Sequence, residues 1–547
     1  MKFLLLILYV FSMFICAKME SQTVIRYDSP LHKDDICNDM VIDNFNNIYL
    51  IGYSDTLISN PPYYTYKHRP LILKYDEKGI LLWYRIERNI EGQFVKIVLD
   101  SNNHIYVAGH GIIGNQYSII LFKYNADGNF IDSSVYYRQN LYGYSLMGLV
   151  YHSSRIIMAT KDYSTGNTEQ YTTLSYDTSL NFRWQTIFTN YNASNVLPVI
   201  LTKSPNSTFV YTLFTSYNSG AAKDIYAQKH KIENGQLIWT KYMNYGADEI
   251  ALNAVTDNND NLYIAGTKSG GNQSGWMCLS LKIDSSGNIP WVVRFNSQDS
   301  LNSEFTSITL DQLGNVLLTG FLQVNNGFFI VTNKYSNNGS FLWSKTYADN
   351  IYNAYGTTSY IISDNANQIY TASFIHNPKD IVLLKYSTTG QLTDALTYNG
   401  PGNSNDIPSD LFVDNLFNIY LAGNSIGNST GYDCLVIKYT QNIGINQINS
   451  EIPDKFVLSQ NYPNPFNPTT KIKFAISGTS MAQTILSVYN TLGKEVAILV
   501  NQKLQPGTYE TDWDASAFPS GVYYYKLNVK SSQRDVFTET KKMVLIK

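Results

Sequence analysis

The sequence is poor in charged residues, and this shortage excludes one class of partner. Charged residues make up only 15% of the 547 positions, the net charge is −3, and no run of lysine or arginine occurs. Without a dense positive field, nothing displaces counterions from a phosphate backbone, so the composition argues against a nucleic-acid partner. The hydrophobic share of 44% is too high for a disordered chain of this length, and it indicates folded domains.

The four cysteines and seven histidines form no catalytic or metal-binding motif. The cysteines lack the CxxC spacing of a zinc site, and no HExxH sequence is present. The Gly-x-Ser-x-Gly elbow, the Gly-Lys-Ser/Thr phosphate loop and the Asp-boxes of sialidases are absent as well. The sequence therefore predicts no catalytic residue, no cofactor and no metal ligand. Calcium at Asp-rich turns such as that at Asp257 is an alternative, but the same aspartate recurs wherever a turn needs an acceptor.

Long apolar runs are absent except at the N-terminus. Lys2 precedes an apolar stretch from Phe3 to Ile15, which is typical of an export signal and short for a membrane span. The sequence predicts a signal peptide at residues 1–17 and no transmembrane segment in the mature chain. Cys16 opens a lipoprotein alternative, although the residues before it are too large for a lipobox.

Tyrosine, by contrast, is abundant, with 44 copies, and aromatic residues reach 14%. Aromatic side chains pack well on pleated surfaces, so this composition favours β-strands. Cys37, Cys278 and Cys434 lie within such strand-like segments and are expected to be small buried hydrophobic groups.

Two motifs alternate through residues 22–440 with a period of roughly 50 residues, near the length of one propeller blade. The first is Asp-x-x-x-Asn-[Ile/Leu/Val]-Tyr-x-x-Gly. Its clear copies begin at Asp43, Asp100, Asp257, Asp311, Asp364 and Asp414, and degenerate copies fall at Tyr151 and Thr202. The second is Lys-Tyr-Asp-x-x-Gly-x-x-x-Trp, and its tryptophans are Trp83, Trp184, Trp239, Trp291 and Trp343. At the two remaining junctions Asp132 and Asp394 hold the tryptophan position, which predicts poorer packing there.

Each motif predicts a β-hairpin, because alternating apolar residues flank a polar turn. Two hairpins per period give a four-stranded blade, and eight periods predict an all-β fold with an eight-bladed β-propeller. The last repeat lacks its fourth strand, while Thr23–Tyr27 resembles a fourth strand without its own blade. We expect this N-terminal strand to complete the last blade and so to remove an exposed edge.

The longer connections between the hairpins are predicted to share one face of the propeller, where variable loops usually carry function. The candidate ligand-binding residues on this face are the loop tyrosines, whose flat rings suit sugars: Tyr63, Tyr64 and Tyr66. The motif tyrosines are instead expected in the core: Tyr49, Tyr106, Tyr263, Tyr370 and Tyr420.

These repeats resemble the bacterial β-propeller (SBBP-like) repeats with the pattern Asp-x-x-Gly-Asn-x-Tyr-x-x-Gly, a resemblance that implies a fold and no activity. The Asp-x-x-Gly-x-x-x-Trp half also resembles the tryptophan-docking motif of pyrroloquinoline-quinone dehydrogenases. Those enzymes carry adjacent cysteines, and no Cys-Cys pair occurs in this sequence. The sequence therefore predicts no quinone cofactor.

The repeats end after Lys438, and a polar linker at residues 441–451 leads to a different pattern at residues 452–547. Short strands separated by Gly, Pro and Asn turns predict a small Ig-like β-sandwich. This segment closely resembles the type A C-terminal sorting domains of the type IX secretion system. The matching positions are Asn461, Tyr462, Pro463, Asn464, Pro465, Gly493, Gly521, Tyr523, Lys541 and Lys547. The resemblance implies that the type IX machinery carries the protein across the outer membrane.

The sequence thus predicts an exported protein at the outer-membrane surface or in the extracellular space. Its propeller is predicted to be a non-catalytic module that binds a protein or a surface polysaccharide. The alternative is an extracellular carbohydrate-active hydrolase or lyase with an active site on the same face. Two or more carboxylates near each other beside a tyrosine-lined pocket would favour that alternative.

Overall fold

The fold is all-β over the part of the chain that the structure describes. In the computed structural model this part is residues 19–547 without residues 59–64, 138–140, 165–168, 191–198, 206–207, 218–221, 271–274, 297–299, 325–326, 349–358, 376–378, 415–416, 442–445, 450, 479–481, 516–517 and 532–533. Its regular elements are 40 strands, β1 to β40, arranged in ten four-stranded sheets. The predicted signal peptide lies outside the described residues. Within the described ranges, no helical segment has the length and apolar character needed to cross a membrane.

Eight of the sheets are built from the repeats, and in seven of them the strands A, B, C and D follow one another in chain order. The N-terminal strand is β1 (Met19–Tyr27). Sheets 1 to 4 comprise β2 (Asp35–Ile42), β3 (Ile48–Leu57), β4 (Tyr66–Tyr75) and β5 (Leu81–Ile86); β6 (Glu91–Leu99), β7 (Ile105–Ile113), β8 (Gln116–Tyr124) and β9 (Phe130–Tyr136); β10 (Leu141–His152), β11 (Arg155–Ser164), β12 (Glu169–Asp177) and β13 (Phe182–Asn190); and β14 (Val199–Lys203), β15 (Phe209–Tyr217), β16 (Lys223–Lys231) and β17 (Leu237–Met243).

Sheets 5 to 7 comprise β18 (Glu249–Thr256), β19 (Leu262–Ser269), β20 (Trp276–Ile283) and β21 (Trp291–Phe295); β22 (Ser300–Leu310), β23 (Val316–Val324), β24 (Gly327–Tyr335) and β25 (Phe341–Tyr347); and β26 (Tyr360–Ser363), β27 (Ile369–Ile375), β28 (Asp380–Tyr386) and β29 (Leu392–Tyr398). Sheet 8 comprises β30 (Asp406–Val413), β31 (Ile419–Ile426), β32 (Tyr432–Gln441) and, beside β32, the N-terminal strand β1. The first strand of the chain is therefore the D strand of the last repeat sheet.

The A strands contact one another in cyclic order, β2, β6, β10, β14, β18, β22, β26, β30 and again β2. Buried apolar side chains form separate clusters, and each cluster is shared by two neighbouring sheets. Cys37, Cys278 and Cys434 lie in these clusters as free, buried thiols, which confirms the prediction for them. A four-stranded sheet with two apolar faces is thus covered on both sides by its neighbours, as in a β-propeller.

The aspartate of the first motif organises the A–B turn. In sheet 1, Asp43 Oδ1 accepts hydrogen bonds from the backbone N–H groups of Phe45 and Asn47, both at 2.9 Å. Its Oδ2 accepts the hydroxyl of Tyr49 at 3.2 Å. The same two backbone bonds recur at Asp100, Asp257, Asp311 and Asp364. Tyr49 and the other motif tyrosines are buried, as predicted, with the hydroxyl bonded to the turn rather than left unpaired in the core.

The second motif joins each sheet to the next. The Lys74 ammonium and the Trp83 indole N–H of sheet 1 donate to one carbonyl oxygen of sheet 2, that of Ala126, at 2.8 and 3.3 Å. The indole lies on Gly128, where a β-carbon would come within 2.8 Å of the ring, so only glycine fits. The same contact recurs at Trp184–Gly235, Trp239–Gly287, Trp291–Gly339 and Trp343–Gly390.

The junctions without the tryptophan have a physical explanation. Asp132 of sheet 2 pairs with Lys123 exactly where a tryptophan stands elsewhere, but the facing turn of sheet 3 carries Leu180 (φ 55°) instead of glycine. Leu180 is buried in a cluster that includes Tyr106 of sheet 2. The turn of sheet 3 thus contributes a buried leucine to this junction, and the poorer packing expected at Asp132 stays a prediction. Asp394 of sheet 7 faces sheet 8, whose D strand is β1, so that sheet has no C–D turn to receive an indole.

Sheet 8 is joined to sheet 1 by contacts of the same kinds. The Lys438 ammonium donates to the carbonyl oxygen of Glu77 at 3.0 Å, and the side-chain oxygen of Asn424 accepts the backbone N–H of Cys37 at 2.7 Å. Ile25 of β1 lies against Gly79, as the tryptophans lie against the other turn glycines. The ring contacts are thus continued across the point where the chain begins and the repeats end.

Arg26 fastens the N-terminal strand within this closure. Its guanidinium donates to Asp433 Oδ2 at 2.5 Å, to Ser425 Oγ at 2.6 Å and to the Tyr398 hydroxyl at 2.9 Å. The side chain of Asp433 is 5% exposed and that of Arg26 is 20% exposed. Loss of the guanidinium would leave the carboxylate of Asp433 buried without its counter-charge, which is costly in a protein interior.

The chain divides into two compact units, one containing residues 22–414 and 419–438, the other containing residues 439–547. The C-terminal unit has two further sheets, and their buried side chains form one cluster around Phe474, Tyr509, Trp513 and Tyr525. In order, the strands of the two sheets are β33 (Asn446–Asn449), β38 (Gly507–Asp514), β35 (Thr469–Ile476) and β34 (Val457–Leu458); and β37 (Glu495–Leu504), β36 (Ala482–Asn490), β39 (Gly521–Ser531) and β40 (Arg534–Leu545).

We predict that Arg26→Ala lowers the free energy of unfolding by about 3 kcal/mol, because it strands the buried carboxylate of Asp433. Urea unfolding followed by tryptophan fluorescence measures the change. Arg88→Ala is the matched control, since Arg88 lies exposed in the connection after β5 and its loss is expected to have little effect. Equal losses in the two variants would contradict a closing role for Arg26.

A second prediction concerns the junction of sheets 2 and 3. Asp132→Trp alone should destabilise the protein by about 1–3 kcal/mol, because the indole meets Leu180 in a filled interface. Combined with Leu180→Gly, which removes that side chain, the tryptophan gains a docking surface. The double variant should therefore be more stable than the sum of the single effects by at least about 1 kcal/mol. Additive losses in a double-mutant cycle would show that the indole and the turn do not interact.

Candidate functional site

The two ends of each repeat sheet carry different connections. A–B and C–D turns lie at one end, which we name the turn face, and B–C and D–A connections lie at the other, the loop face. Buried carboxylates hold the D–A connections: Asp35 Oδ2 accepts the backbone N–H of Ser29 at 2.6 Å, and Asp406 Oδ2 accepts that of Gly400 at 2.7 Å. Burial raises the pKa of Asp35 to about 6 and also raises that of Asp406. The loop face is therefore anchored to the strands beneath it.

Aromatic and polar side chains meet on the loop face of sheet 1. Tyr66, one of the predicted ligand residues, begins β4 and is 39% exposed, and the ammonium of Lys33 lies 5.3 Å from its ring centroid. On the same strand His68 packs against Tyr53 with ring centroids 4.2 Å apart and planes tilted by 51°, and its Nδ1 lies 2.6 Å from Asp55 Oδ1. We name this group the aromatic patch, and its members are Lys33, Tyr53, Asp55, Tyr66 and His68. The other two predicted tyrosines, Tyr63 and Tyr64, lie outside the described residues.

A second group of polar residues lies on the inner strands, and we name it the axial cluster: Asp39 (β2), Lys96 (β6), Tyr360 (β26) and Asp410 (β30). Each stands four residues before the aspartate of an A–B turn, so all four occupy the same position of neighbouring A strands. The Lys96 ammonium lies 2.7 Å from Asp39 Oδ1. Asp39 Oδ2 also accepts the backbone N–H of Ile97 at 3.0 Å.

The two carboxylates of the axial cluster have different environments. Asp39 is paired with Lys96, whereas burial and then the charge of Asp39 raise the pKa of Asp410 to about 7. A carboxyl group with this pKa exchanges a proton near neutral pH, which is the property of a general acid or base. The same carboxylates also bond to the next A strand, Asp39 to Ile97 and Asp410 to the backbone of Met40. Both carboxylates therefore also join neighbouring sheets.

Sequence reasoning missed the axial cluster, because these four residues belong to no motif. The signal that identifies them is positional: they appear once the A strands are aligned on the turn aspartate that follows. Within the described residues, no group of three or more His, Cys, Asp or Glu side chains is arranged to hold a metal ion. The Asp257 turn, considered above for calcium, uses its carboxylate for Asn259, Asn261 and Tyr263.

In the C-terminal unit, Asn461 is the centre of the predicted sorting motif. It is 2% exposed, and its amide nitrogen donates to Thr470 Oγ1 at 2.9 Å and to the carbonyl of Pro463 at 3.0 Å. Its backbone N–H donates to the Tyr525 hydroxyl at 2.8 Å. These bonds fix the Pro-rich turn against the core and leave Tyr462 80% exposed at its surface.

The other predicted motif residues take several structural positions. Asn464 Oδ1 accepts the backbone N–H of Val544 at 2.9 Å, which places the Pro-rich turn, including Pro465, beside the last strand. Just beyond the same end of β40, the backbone N–H of Lys547 donates to Ser520 Oγ at 2.9 Å, next to Gly521. The remaining residues have other roles: Gly493 has φ 76° in the β36–β37 hairpin, the Tyr523 hydroxyl donates to the Pro519 carbonyl, and Lys541 pairs with Glu539 at 3.1 Å.

Several solved structures are similar to this chain at low identity and low TM-score. Polysaccharide lyase Uly1 is 11% identical over 63% of this chain and 89% of that chain, with a TM-score of 0.40. The WD40 domain of SCAP from fission yeast is 10% identical over 76% of this chain and 98% of that chain, also with a TM-score of 0.40. A protein of unknown function from Bacteroides caccae is 12% identical over 46% and 79%, with a TM-score of 0.29.

No curated protein sequence matches this chain. Residues 460–545, however, match the family model described as the secretion system C-terminal sorting domain. This match confirms the resemblance recognised in the Pro-rich turn and the final strands. The C-terminal part of the chain is therefore a type IX sorting domain, which directs the protein to the cell surface or the extracellular space.

Proposed function

We propose that the protein is an exported, non-catalytic binding module. In this proposal a signal peptide at residues 1–17 carries the chain across the inner membrane, and a sorting domain at residues 452–547, folded as an Ig-like β-sandwich, engages the type IX machinery. Residues 22–440 form an SBBP-like, eight-bladed propeller that binds a glycan or protein through its loop face. The observation that supports export is the family match at residues 460–545. The cyclic contacts of the eight A strands support the closed propeller.

The aromatic patch supports a sugar ligand on the loop face. Tyr66 presents a half-exposed ring, and Lys33 and His68 add polar groups beside it. Flat apolar rings next to hydrogen-bonding groups suit pyranose rings, which have apolar faces and polar edges. The loops around the patch are held by buried Asp35, so less ordering is required on binding.

We predict that the sorting domain is required for surface exposure. In a host with a type IX machinery, deletion of residues 452–547 should retain the protein in the periplasm, and the full chain should become accessible to external protease. Asn461→Leu, which removes the bonds that hold the Pro-rich turn, should lower the surface fraction, whereas Lys494→Ala at an exposed hairpin position should not. A truncated chain that still reaches the surface would contradict the proposal.

We predict that the aromatic patch binds carbohydrate. The mature chain is tested on an array of neutral and acidic oligosaccharides, and affinity for the strongest binder is then measured by calorimetry. Tyr66→Ala should weaken that affinity about fivefold to tenfold, because one aromatic stacking contact is lost. Phe45→Ala is the control, since Phe45 is an exposed aromatic residue of the turn face.

The same experiment separates binding from catalysis. The alternative function is a carbohydrate-active hydrolase or lyase, and the observation that favours it is the unequal pair Asp39 and Asp410 beside Tyr360. The bound oligosaccharides should be recovered intact from the wild-type protein if the propeller is a binding module. Shortened or unsaturated products that disappear in Asp410→Asn would instead establish the enzyme.

A further inference from the structure

A cavity of about 470 Å³ opens on the turn face, opposite the aromatic patch. It is lined by the ends of four successive A strands, β2, β6, β10 and β14, and by the A–B turns that follow the first two. Val41, Val98 and Val150, which hold equivalent positions in three of these strands, contribute apolar lining. The volume lies within the range of small-molecule sites, which are typically apolar with a few polar groups.

Tyr151 gives the cavity an aromatic wall whose position is held by packing. Its ring is stacked on that of Tyr106, with centroids 6.2 Å apart and planes within 7°. Tyr106 is itself fully buried and bonded through its hydroxyl to Asp100. The exposed face of Tyr151 is therefore supported from behind, so a ligand that contacts it need not order the ring first.

The carboxylates in the lining are committed to their own turns. Asp100 Oδ1 accepts two backbone N–H groups at 2.9 Å, and Oδ2 accepts His104 Nδ1 at 2.9 Å and the Tyr106 hydroxyl. Asp43 is bonded in the same way within the turn of sheet 1. Neither carboxylate is thus directed toward a cation at the cavity.

Lys203 is the one lysine or arginine among the described residues that line the cavity. Its ammonium contacts His152 Nδ1 at a long distance of 3.5 Å, and no carboxylate in the described part of the chain forms an ion pair with it. Burial lowers the pKa of Lys203, and no neighbouring charge acts against that effect. A half-buried ammonium without a counter-ion beside an apolar surface is an incomplete interaction, because charges removed from water require a partner.

We propose that this cavity binds a small organic carboxylate, with the carboxylate on the Lys203 ammonium and the apolar body against the valines and Tyr151. Cation, aromatic wall and apolar lining together match an anionic group attached to an apolar or flat ring. An inorganic anion would use the ammonium alone and leave the valines and Tyr151 without a contact. The site lies on the opposite face from the proposed glycan surface, so it is an additional binding function.

Benzoate is the probe for this site, and benzamide is its neutral analogue of the same shape. Calorimetry with the mature full-length chain should show benzoate binding, with benzamide at least about tenfold weaker because the charged hydrogen bond is lost. Lys203→Met should weaken benzoate at least about tenfold, and Lys203→Arg should restore most of the affinity. Lys345→Met, at an exposed lysine of β25, is the matched control and should bind as the wild type does.

Several results would overturn the proposal. No benzoate binding to the wild type at about 10 mM would reject an organic carboxylate site of useful strength. Equal binding of benzamide, or unchanged affinity in Lys203→Met, would show that the ammonium does not hold the ligand. Sulfate that competes as strongly as benzoate would indicate an inorganic anion site instead. Circular dichroism and the unfolding temperature of Lys203→Met verify that the variant remains folded, and Lys203→Arg gives an independent test if it does not.

Discussion

Contact between neighbouring sheets is the constraint on which the repeat region depends. A four-stranded sheet with two apolar faces cannot cover itself, and most of the buried side chains form clusters between one sheet and the next. The polar bonds of the interface follow the same scheme, since a lysine and a tryptophan of one sheet donate to a single carbonyl of the next. The glycine beneath the indole is required because a β-carbon would meet the ring. The residues of the repeated motif therefore specify the contact between two sheets more than the structure of one sheet.

Closure adds a requirement that the repeats alone do not meet. The last repeat has only three strands of its own, and the first strand of the chain is the fourth. Ile25 takes over the contact with the turn glycine, and Arg26 neutralises the buried Asp433. Stability of the ring thus depends on residues close to the N-terminus that contact the far end of the repeat region.

The inner strands distinguish the sheets from one another. Equivalent A-strand positions carry Asp39, Lys96, Tyr360 and Asp410 in four neighbouring sheets, whereas the turn residues around them repeat. The cavity on the turn face has the same origin, since Lys203 stands where the neighbouring strands β2 and β6 carry Ile42 and Leu99. The repeat sheets therefore differ from one another in the side chains of their inner strands and of the loop face, whereas the contacts between sheets repeat.

Much of the fold was determined by the sequence itself. The alternation of apolar residues along a strand and the φ requirements of turn residues are local properties. The strands, the hairpins and the roughly 50-residue period therefore follow from the chain alone. The sorting domain was recognisable for a similar reason, because its turns and final strand use particular residues, such as Asn461, at particular spacings. The burial of the motif tyrosines also followed, since they alternate with residues of the opposite face.

Other features were decided only by the tertiary structure. Leu180 and Asp132 are far apart in sequence, and only the assembled junction shows that this turn leucine is buried against sheet 2. Asp39, Asp410 and Lys203 belong to no motif, and their surroundings depend on strands contributed by other sheets. Local patterns specify the turns and hairpins because those interactions span few residues. Burial, counter-charges and cavities arise between distant segments, and so they become visible only when the sheets are assembled.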